Sequence, residues 1–379
     1  MSMTKLTNLW RQRLPVRRRT PPLKGLADNP AFQWWRDPTV IQQDSWWALV
    51  QSQQLVDAQL DLINELGAQA FRFDLPWREV APSRPGSGAY EAAAATNPAW
   101  PGYRWARLDA IVEALEEVGV VPLPVVCFAP AWAAARPSES PASPPDRPEY
   151  FADLMTALAL RYRGRVHHWE LWNEPDHPHS WVGTLEEFIR LVLEPGARAV
   201  RITAPECSVV LGGLADHRNL KALHRLGAAA HYDIASFHAY PPDTAVRRIR
   251  GAVNEVRAVL RRAGAGNRQV WVTECGLATA PPSPPSSFGG FTDEAGQARF
   301  VEALYGTVGA DAIFFYQLRD TAIYNSAGAG IKHVHWGLVG DGDRRRKPGF
   351  DAFRRVAAGP AVGRSRSETR RTAALPTRR

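Results

Sequence analysis

The sequence predicts an α/β protein of the (β/α)8 TIM-barrel class, built as a single domain with flexible basic termini. Two observations carry this prediction. Apolar runs of strand length alternate with longer segments that place apolar residues at helical spacing, which is typical of a parallel sheet covered by helices. No Gly-X-Gly-X-X-Gly turn follows an early strand, which disfavours the doubly wound alternative.

The first half of the chain shows this alternation from residue 55 onward. A first strand is expected within residues 31–50, although no clear period fixes its position. A helix over residues 55–66 ends at Gly67, a residue suited to a helix C-terminus. Strands are then predicted at residues 68–75, 120–128 and 166–173, with helices at 105–118 and 149–163.

The second half continues the same pattern. Thr184 and Glu187 form a capping box ahead of a helix that extends to about residue 200. Further strands are predicted at 207–211, 232–238, 269–274 and 311–318, and further helices at about 216–230, 243–263, 291–308 and 350–356. With the first strand this makes eight, the number that closes a TIM barrel. We therefore expect a catalytic barrel at residues 31–358, between a basic N-terminal extension at 1–30 and a basic disordered tail at 359–379.

The net charge of +8 is concentrated in the termini. The first 24 residues contain seven Lys or Arg and no acidic residue, and the last 20 contain six Arg and one Glu. The total therefore leaves −4 for the 335 residues between them. A mildly acidic body has no evident basic face, so nucleic acid is not expected as a partner.

Cysteine usage and hydropathy indicate which cellular locations are expected for this protein. Cys127, Cys207 and Cys275 are far apart, which indicates buried free thiols and neither a disulfide framework nor a Cys-X-X-Cys metal site. No run of about 18 apolar residues exists, so no membrane span is expected. Three arginines at 17–19 precede polar residues instead of an apolar segment, so no secretory or twin-arginine signal is recognised. A cytoplasmic location is the default expectation and an extracytoplasmic one stays open; the oligomeric state is not indicated.

Polar and aromatic residues gather at the predicted C-terminal ends of the strands, where TIM barrels carry their active sites. Glu174 ends the run Trp-Glu-Leu-Trp-Asn-Glu at the fourth strand, and the following Pro175 terminates that strand. Glu274 ends the run Val-Trp-Val-Thr-Glu at the seventh strand. The other residues of this kind are Arg72, Asp74, Trp132, Asn173, His238, Tyr240, Tyr316 and Gln317.

Two carboxylates that face each other across a barrel mouth are the groups required for glycosidic bond cleavage. Strands four and seven lie three units apart on a ring of eight, so we expect Glu174 and Glu274 to meet. At about 5–5.5 Å one carboxylate attacks the anomeric carbon while the other protonates the leaving oxygen. Arg72 is the cation expected to keep the nucleophile ionised, with Tyr240 as a further donor. This chemistry requires neither a metal nor an organic cofactor.

Two neighbouring residues admit other interpretations. Glu170 shares the parity of Glu174, and we interpret it as a hydrogen-bonding residue of the barrel interior instead of a third catalytic acid. Arg72 has an alternative as a structural ion-pair partner of Asp74.

The runs Trp-Asn-Glu-Pro at 172–175 and Val-Thr-Glu at 272–274, together with Arg72, resemble the clan A retaining glycoside hydrolases. The resemblance covers roughly residues 55–358. Phe-Arg-Phe-Asp-Leu-Pro-Trp at 71–77 and Pro-Ala-Trp at 130–132 are most similar to the family of β-xylosidases, α-L-iduronidases and their single-domain endo-acting relatives. The resemblance implies a retaining hydrolase of a β-linked oligo- or polysaccharide, with Glu174 as acid/base and Glu274 as nucleophile.

The resemblance also implies roles around the two glutamates. Asn173 would bind the sugar 2-hydroxyl, Arg72 and Tyr240 would hold the nucleophile, and His238 would line the cleft. The expected substrate-binding set is completed by Trp132, Tyr316 and Trp336. Two features depart from the family: Tyr316 stands where the clan usually has a Trp at the eighth strand, and the chain has no room for the added β-sandwich of xylosidases and iduronidases.

Two other functions use the same residues. A transglycosylase would have the same glutamates and an acceptor sugar in place of water. A carbohydrate-binding pseudo-enzyme would keep the cleft without turnover, although the intact Glu, Asn and Arg set speaks against it. The sugar, the linkage and exo or endo action depend on loops 82–102, 133–148, 279–291 and 319–336, whose shapes the sequence does not define.

Overall fold

A computed structural model of the chain describes residues 23–28, 53–139, 141–280, 289–320, 335–340 and 345–358. Eight parallel strands follow one another in chain order around a closed barrel. They are β1 (Leu23–Asp28), β2 (Ala70–Pro76), β3 (Val121–Cys127), β4 (His168–Asn173), β5 (Ser208–Gly213), β6 (Ile234–Ala239), β7 (Gln269–Cys275) and β8 (Ala312–Tyr316). Because β1 pairs with both β2 and β8, the ring is closed and the predicted TIM barrel is confirmed.

Helices connect the strands and cover the outside of the barrel. The helical layer after β4 begins at the predicted capping box of Thr184 and Glu187, and a π-helical segment at Ile189–Leu193 joins its two parts. The helices of the described residues are α1 (Gln53–Leu66), α2 (Trp77–Val80), α3 (Ala92–Ala95), α4 (Ala106–Glu117), α5 (Pro148–Arg161), α6 (Leu185–Phe188), α7 (Glu194–Thr203), α8 (Leu220–Arg225), α9 (Arg247–Arg262), α10 (Glu294–Thr307) and α11 (Pro348–Ala358).

The prediction of the first strand within residues 31–50 is wrong. β1 lies earlier, inside the stretch assigned to the basic extension, so the barrel includes residues before position 31. The strand has only six residues and contains Lys24 and Gly25, which interrupt the apolar pattern. Gly25 is needed because a Cβ there would lie 2.2 Å from the ring of Phe314 on β8. Residues 31–50 and the tail at 359–379 lie outside the described residues.

The inward-facing positions change character along the barrel axis. Toward the N-terminal ends of the strands they are apolar, as at Ala70 and Ala312, which belong to a cluster buried inside the barrel. Toward the C-terminal ends they become charged, as at Arg72 and Glu170, which form a buried ion pair. Because all strands are parallel, this charged layer lies at one rim, the end that carries active sites in TIM barrels.

The opposite rim has a surface cavity of about 680 Å³ at the N-terminal ends of β4 to β7. His168, Ser208 and Gln269 are among its lining residues. Conservation of this end in TIM barrels is associated with stability and not with catalysis. The cavity is therefore not the candidate active site.

Two further expectations concern cysteines and membranes. Cys127, Cys207 and Cys275 are buried free thiols, as predicted. Among the described helices, none combines the length and apolar character needed to cross a membrane.

The packing between α5 and the strand ends gives a first prediction. Phe151 is fully buried, with ring-centroid distances of 5.8 Å to Trp77 and 6.4 Å to Trp172. Phe151→Ala is expected to lower the free energy of unfolding by about 3–5 kcal/mol, because the two indoles cannot collapse into the cavity. Leu160→Ala on the same helix, where Leu160 is 42% exposed, is the control and should change it by no more than about 0.5 kcal/mol. Urea denaturation followed by circular dichroism measures both, and equal losses would contradict this packing.

Candidate active site

Arg72 lies at the centre of the polar layer and has no solvent exposure. Its Nε donates to Glu170 Oε2 and its Nη1 donates to Glu274 Oε1, each at 2.7 Å. Its Nη2 donates to Asn173 Oδ1 at 2.9 Å and to Glu170 Oε1 at 3.3 Å. Burial by itself lowers the pKa of Arg72, but the carboxylates of Glu170 and Glu274 more than offset this effect and leave the pKa above its ordinary value. One guanidinium therefore links side chains of β2, β4 and β7.

Glu170 is the buried counter-charge of this guanidinium. Besides the two bonds from Arg72, its Oε1 accepts a hydrogen bond from the backbone N–H of Gly213 at 2.9 Å. Its interpretation as a hydrogen-bonding residue of the interior is confirmed. Arg72 forms ion pairs with Glu170 and Glu274, and the charge of Asp74 makes a smaller contribution to its raised pKa.

Glu174 and His238 form a second pair at the same rim. His238 Nδ1 lies 2.8 Å from Glu174 Oε1, and His238 Nε2 lies 3.4 Å from Arg72 Nη2. Burial lowers the pKa of His238, so its imidazole is neutral at pH 7. Because a guanidinium only donates, the neutral tautomer that fits both contacts accepts at Nε2 and donates from Nδ1 to Glu174 Oε1. The other carboxyl oxygen of Glu174 remains to hold a proton.

The two glutamates have different environments. Burial raises the pKa of Glu174 to about 7. Glu274 accepts from Arg72 on Oε1 and from the Tyr240 hydroxyl on Oε2 at 2.5 Å. Burial and the Glu274 charge raise the pKa of Tyr240 well above its ordinary value, so its hydroxyl stays protonated and donates. Glu274 is therefore the glutamate with a hydrogen-bond donor on each oxygen, whereas Glu174 is the one whose pKa is raised by burial.

The separation between these groups is short. One ligand atom each from Glu174, His238 and Glu274 lie within 4.8 Å of one another, and all three residues are buried. The same three residues are those of the described chain that offer a cation a compact set of ligands. Arg72 already supplies a positive charge to Glu274 there, so the charge balance of the site does not call for a metal ion.

The backbone beneath the site is strained at three positions. Phe128, Trp172 and Glu174 have φ angles of 63°, 74° and 43°, in the left-handed region that non-glycine residues rarely adopt. Such residues cost about 1–3 kcal/mol each and persist where the surrounding structure holds them. Here the N–H of Glu174 donates to the carbonyl of Gly213 on β5, which fixes the strained residue to the barrel. In this conformation the Glu174 carboxyl contacts His238 of the neighbouring β6.

Gly213 is a position in contact with the candidate site that the sequence analysis missed. A Cβ at this position would lie 2.2 Å from His238 Nε2 and 2.8 Å from Thr273 Oγ1. The fifth strand therefore ends without a side chain because the imidazole of the next strand occupies that space. A Gly-Gly pair at a strand end next to strands ending in His and Glu is the signal that would have indicated it.

The predicted aromatic residues divide into two groups. Tyr316 and Trp336 lie beside Tyr240, with ring-centroid distances to it of 6.0 and 5.0 Å. Trp336 is fully buried and contacts both tyrosines edge-on, so its burial does not support the predicted direct contact with a saccharide. Trp132 belongs to a separate cluster, where it packs against Trp77 and donates from its indole to the carbonyl of Ala81 at 2.8 Å.

Three solved structures similar to this chain are glycosidases by name. A glucosidase from Croceicoccus marinus is 18% identical with a TM-score of 0.60, over 79% of this chain and 63% of that one. A family 39 glycoside hydrolase from Bacteroides cellulosilyticus WH2 is 19% identical with a TM-score of 0.59, over 89% and 64%. A monomeric β-xylosidase from Caulobacter crescentus CB15 is 16% identical with a TM-score of 0.62, over 90% and 70%.

At these identities the likeness establishes the fold. This chain spans just under two thirds of the length of the glucosidase and of the family 39 enzyme. No protein-family model matches the sequence, and neither does any curated protein. The (β/α)8 barrel of this chain is therefore one that it shares with glycoside hydrolases of known structure.

The close approach at Gly213 gives a second prediction. Gly213→Ala is expected to lower the free energy of unfolding by about 1–3 kcal/mol, because the new methyl group must displace a buried imidazole. Gly251→Ala in α9 is the matched control, since nothing lies within 4 Å of a Cβ there. Alanine should stabilise that helix by about 0.5–1 kcal/mol. Denaturation curves of both variants test the prediction, and a neutral Gly213→Ala would contradict the described packing.

Proposed function

We propose that this chain is a retaining glycoside hydrolase that cleaves a β-linked saccharide by double displacement, with Glu174 as general acid/base and Glu274 as nucleophile. The approach of the two carboxyl groups to within 4.8 Å carries the proposal. Carboxyl groups about 5–5.5 Å apart suit direct attack, whereas inverting enzymes need about 6.5–9.5 Å to accommodate a water.

In the first step, Glu174 donates its proton to the leaving glycosidic oxygen while Glu274 attacks the anomeric carbon. The raised pKa of Glu174 supports the acid role, because the carboxyl still holds its proton near neutral pH. The donors Arg72 and Tyr240 support the nucleophile role, because they occupy one lone pair on each oxygen and orient the carboxylate. The products are the released alcohol and a glycosyl ester on Glu274.

In the second step, the ionised Glu174 removes a proton from water as the water attacks the same anomeric carbon and the ester bond to Glu274 breaks. Glu174 then holds a proton again, which it transfers to the next leaving group. The neutral His238 fixes the carboxyl through Oε1 in both steps, so one oxygen alternates between acid and base. Two inversions at the same carbon retain its configuration.

Asn173 supports a sugar-binding role next to the acid/base. Since its Oδ1 accepts from Arg72, its Nδ2 is the end oriented to donate to a substrate hydroxyl. A donor to the sugar 2-hydroxyl strengthens in the transition state. The name of one structural neighbour, a β-xylosidase, supports a β-linked saccharide as the substrate class without selecting the sugar.

Substitution of the two glutamates tests the proposal. With 4-nitrophenyl β-glycosides, Glu174→Gln is expected to lower kcat/KM about 10²–10⁴-fold, because the leaving group lacks its acid. With 2,4-dinitrophenyl glycosides the loss should be small, since that leaving group needs no proton. Glu274→Gln should abolish turnover of both substrates, and Glu117→Gln, an exposed control in α4, should leave both unchanged.

Labelling and product analysis separate the alternative functions. A 2-deoxy-2-fluoro glycoside should label Glu274, detected by mass spectrometry of the digested protein. Sugar binding without labelling would instead indicate a pseudo-enzyme. Products lengthened by an added acceptor sugar would indicate a transglycosylase. An absence of both activity and binding across a panel of aryl glycosides and polysaccharides would refute the proposal.

The pKa of Glu174 predicts the pH dependence. The acid is active when protonated, and burial raises its pKa to about 7. Below pH 7 Glu174 therefore carries its proton, and above pH 7 the value of kcat/KM should fall about tenfold per pH unit as this proton is lost. This fall in kcat/KM at alkaline pH should be absent with 2,4-dinitrophenyl glycosides. A decline in kcat/KM that begins near the ordinary pKa of a glutamate, about 4.3, would contradict the assignment.

A further inference from the structure

A buried ion pair lies at the catalytic rim, outside the group of residues assigned above. Lys347 Nζ donates to Asp320 Oδ1 at 2.9 Å and lies 2.7 Å from Oδ2. Asp320 is 5% exposed and Lys347 2% exposed. Asp320 follows β8, and Lys347 immediately precedes α11, so the pair joins two distant parts of the chain at the end of the eighth strand.

The pair holds one short segment, His335 to Gly337. The backbone N–H of Gly337 donates to Asp320 Oδ1 at 2.7 Å. Lys347 Nζ also donates to the hydroxyl of Thr279 at 3.0 Å, and that hydroxyl donates to the carbonyl of His335 at 3.1 Å. Both ends of the segment are therefore tied to the ion pair, one directly and one through Thr279.

Trp336 is the residue between these two anchors. Its ring contacts Tyr240 edge-on at 5.0 Å and 88° and Tyr316 at 6.1 Å and 71°. The fit is tight, because a Cβ at Gly276 would lie 2.7 Å from the indole. Edge-to-face pairs of this kind are favourable beyond the burial of the rings, so they fix the orientation of Tyr240.

We propose that Asp320 and Lys347 are positioning residues, which set the orientation of the nucleophile through contacts with Trp336 and Tyr240. The inference rests on the proposed function, in which Glu274 is the nucleophile. Tyr240 donates to Glu274 Oε2 at 2.5 Å, so a displacement of the phenol ring displaces one of the two donors that orient the attacking carboxylate. A buried ion pair is by itself a weak source of stability, which favours a role in geometry.

The step affected is the attack of Glu274 and not the proton transfer from Glu174. Asp320→Asn and Lys347→Met are expected to lower kcat/KM about 10–100-fold, the loss that a displacement near 1 Å produces. This loss should persist with 2,4-dinitrophenyl glycosides, because an activated leaving group does not replace a misplaced nucleophile. Glu174→Gln is the comparison, since its defect should largely disappear with the same substrates.

Two further variants separate positioning from stability. Tyr305 donates from a buried hydroxyl to the carbonyls of Gly25 and Ile313 at 3.2 Å and packs against Phe353 of α11. Tyr305→Phe should lower the melting temperature without a change in kcat/KM. Trp336→Phe keeps the ion pair but removes part of the edge contact, and it should reproduce the catalytic defect with both leaving groups.

A crystal structure of Asp320→Asn provides a measurement that does not depend on activity. The Tyr240 hydroxyl is expected to lie beyond hydrogen-bond distance of Glu274, more than about 3.5 Å away. If the wild-type protein cleaves no glycoside, the proposed function fails. The distance between the Tyr240 hydroxyl and Glu274 in Asp320→Asn still tests whether the ion pair positions Tyr240. An unchanged Tyr240–Glu274 distance in Asp320→Asn, or kcat/KM values of all ion-pair and Trp336 variants within about twofold of wild type, would overturn the inference.

Discussion

The guanidinium of Arg72 is the constraint on which the polar layer of the candidate active site depends. It lies out of contact with solvent and pairs with Glu170 and Glu274 at 2.7 Å each. Buried charges cost several kcal/mol unless they are paired and hydrogen-bonded, so this arrangement is stable only when β2, β4 and β7 are all in register. The closed barrel fixes the register of these strands, and the ion pairs in turn fix the side chains of Arg72, Glu170 and Glu274.

The same cation explains why two nearby glutamates differ. Arg72 donates directly to Glu274 but reaches Glu174 only through His238. Direct contact favours the charged form of a carboxyl, and burial without it favours the neutral form, so the pKa of Glu174 rises to about 7. Gly213 at the end of β5 is part of this arrangement. Because this residue has no side chain, the imidazole of His238 has space to lie between Arg72 and Glu174.

Geometry at the rim is held from several directions. Strained backbone at Trp172 and Glu174 is tolerated because the surrounding strands are rigid. Tyr240 is confined on the other side by Trp336, whose segment is anchored by Asp320 and Lys347. The proposed mechanism requires attack at the anomeric carbon and protonation of the leaving oxygen in the same step, so small displacements of either group would be costly to the rate.

The sequence by itself determined the barrel class and seven of its strands, because buried parallel strands and amphipathic helices leave strong apolar periods. It also predicted that Glu174 and Glu274 face one another, since strand order in a ring sets which ends are close. β1 escaped detection because six residues with Lys24 and Gly25 form no such pattern. Only the tertiary structure showed the close approach at Gly213 and the buried ion pair of Asp320 with Lys347, because such contacts depend on how separate segments of the chain pack and leave no periodic pattern in the sequence.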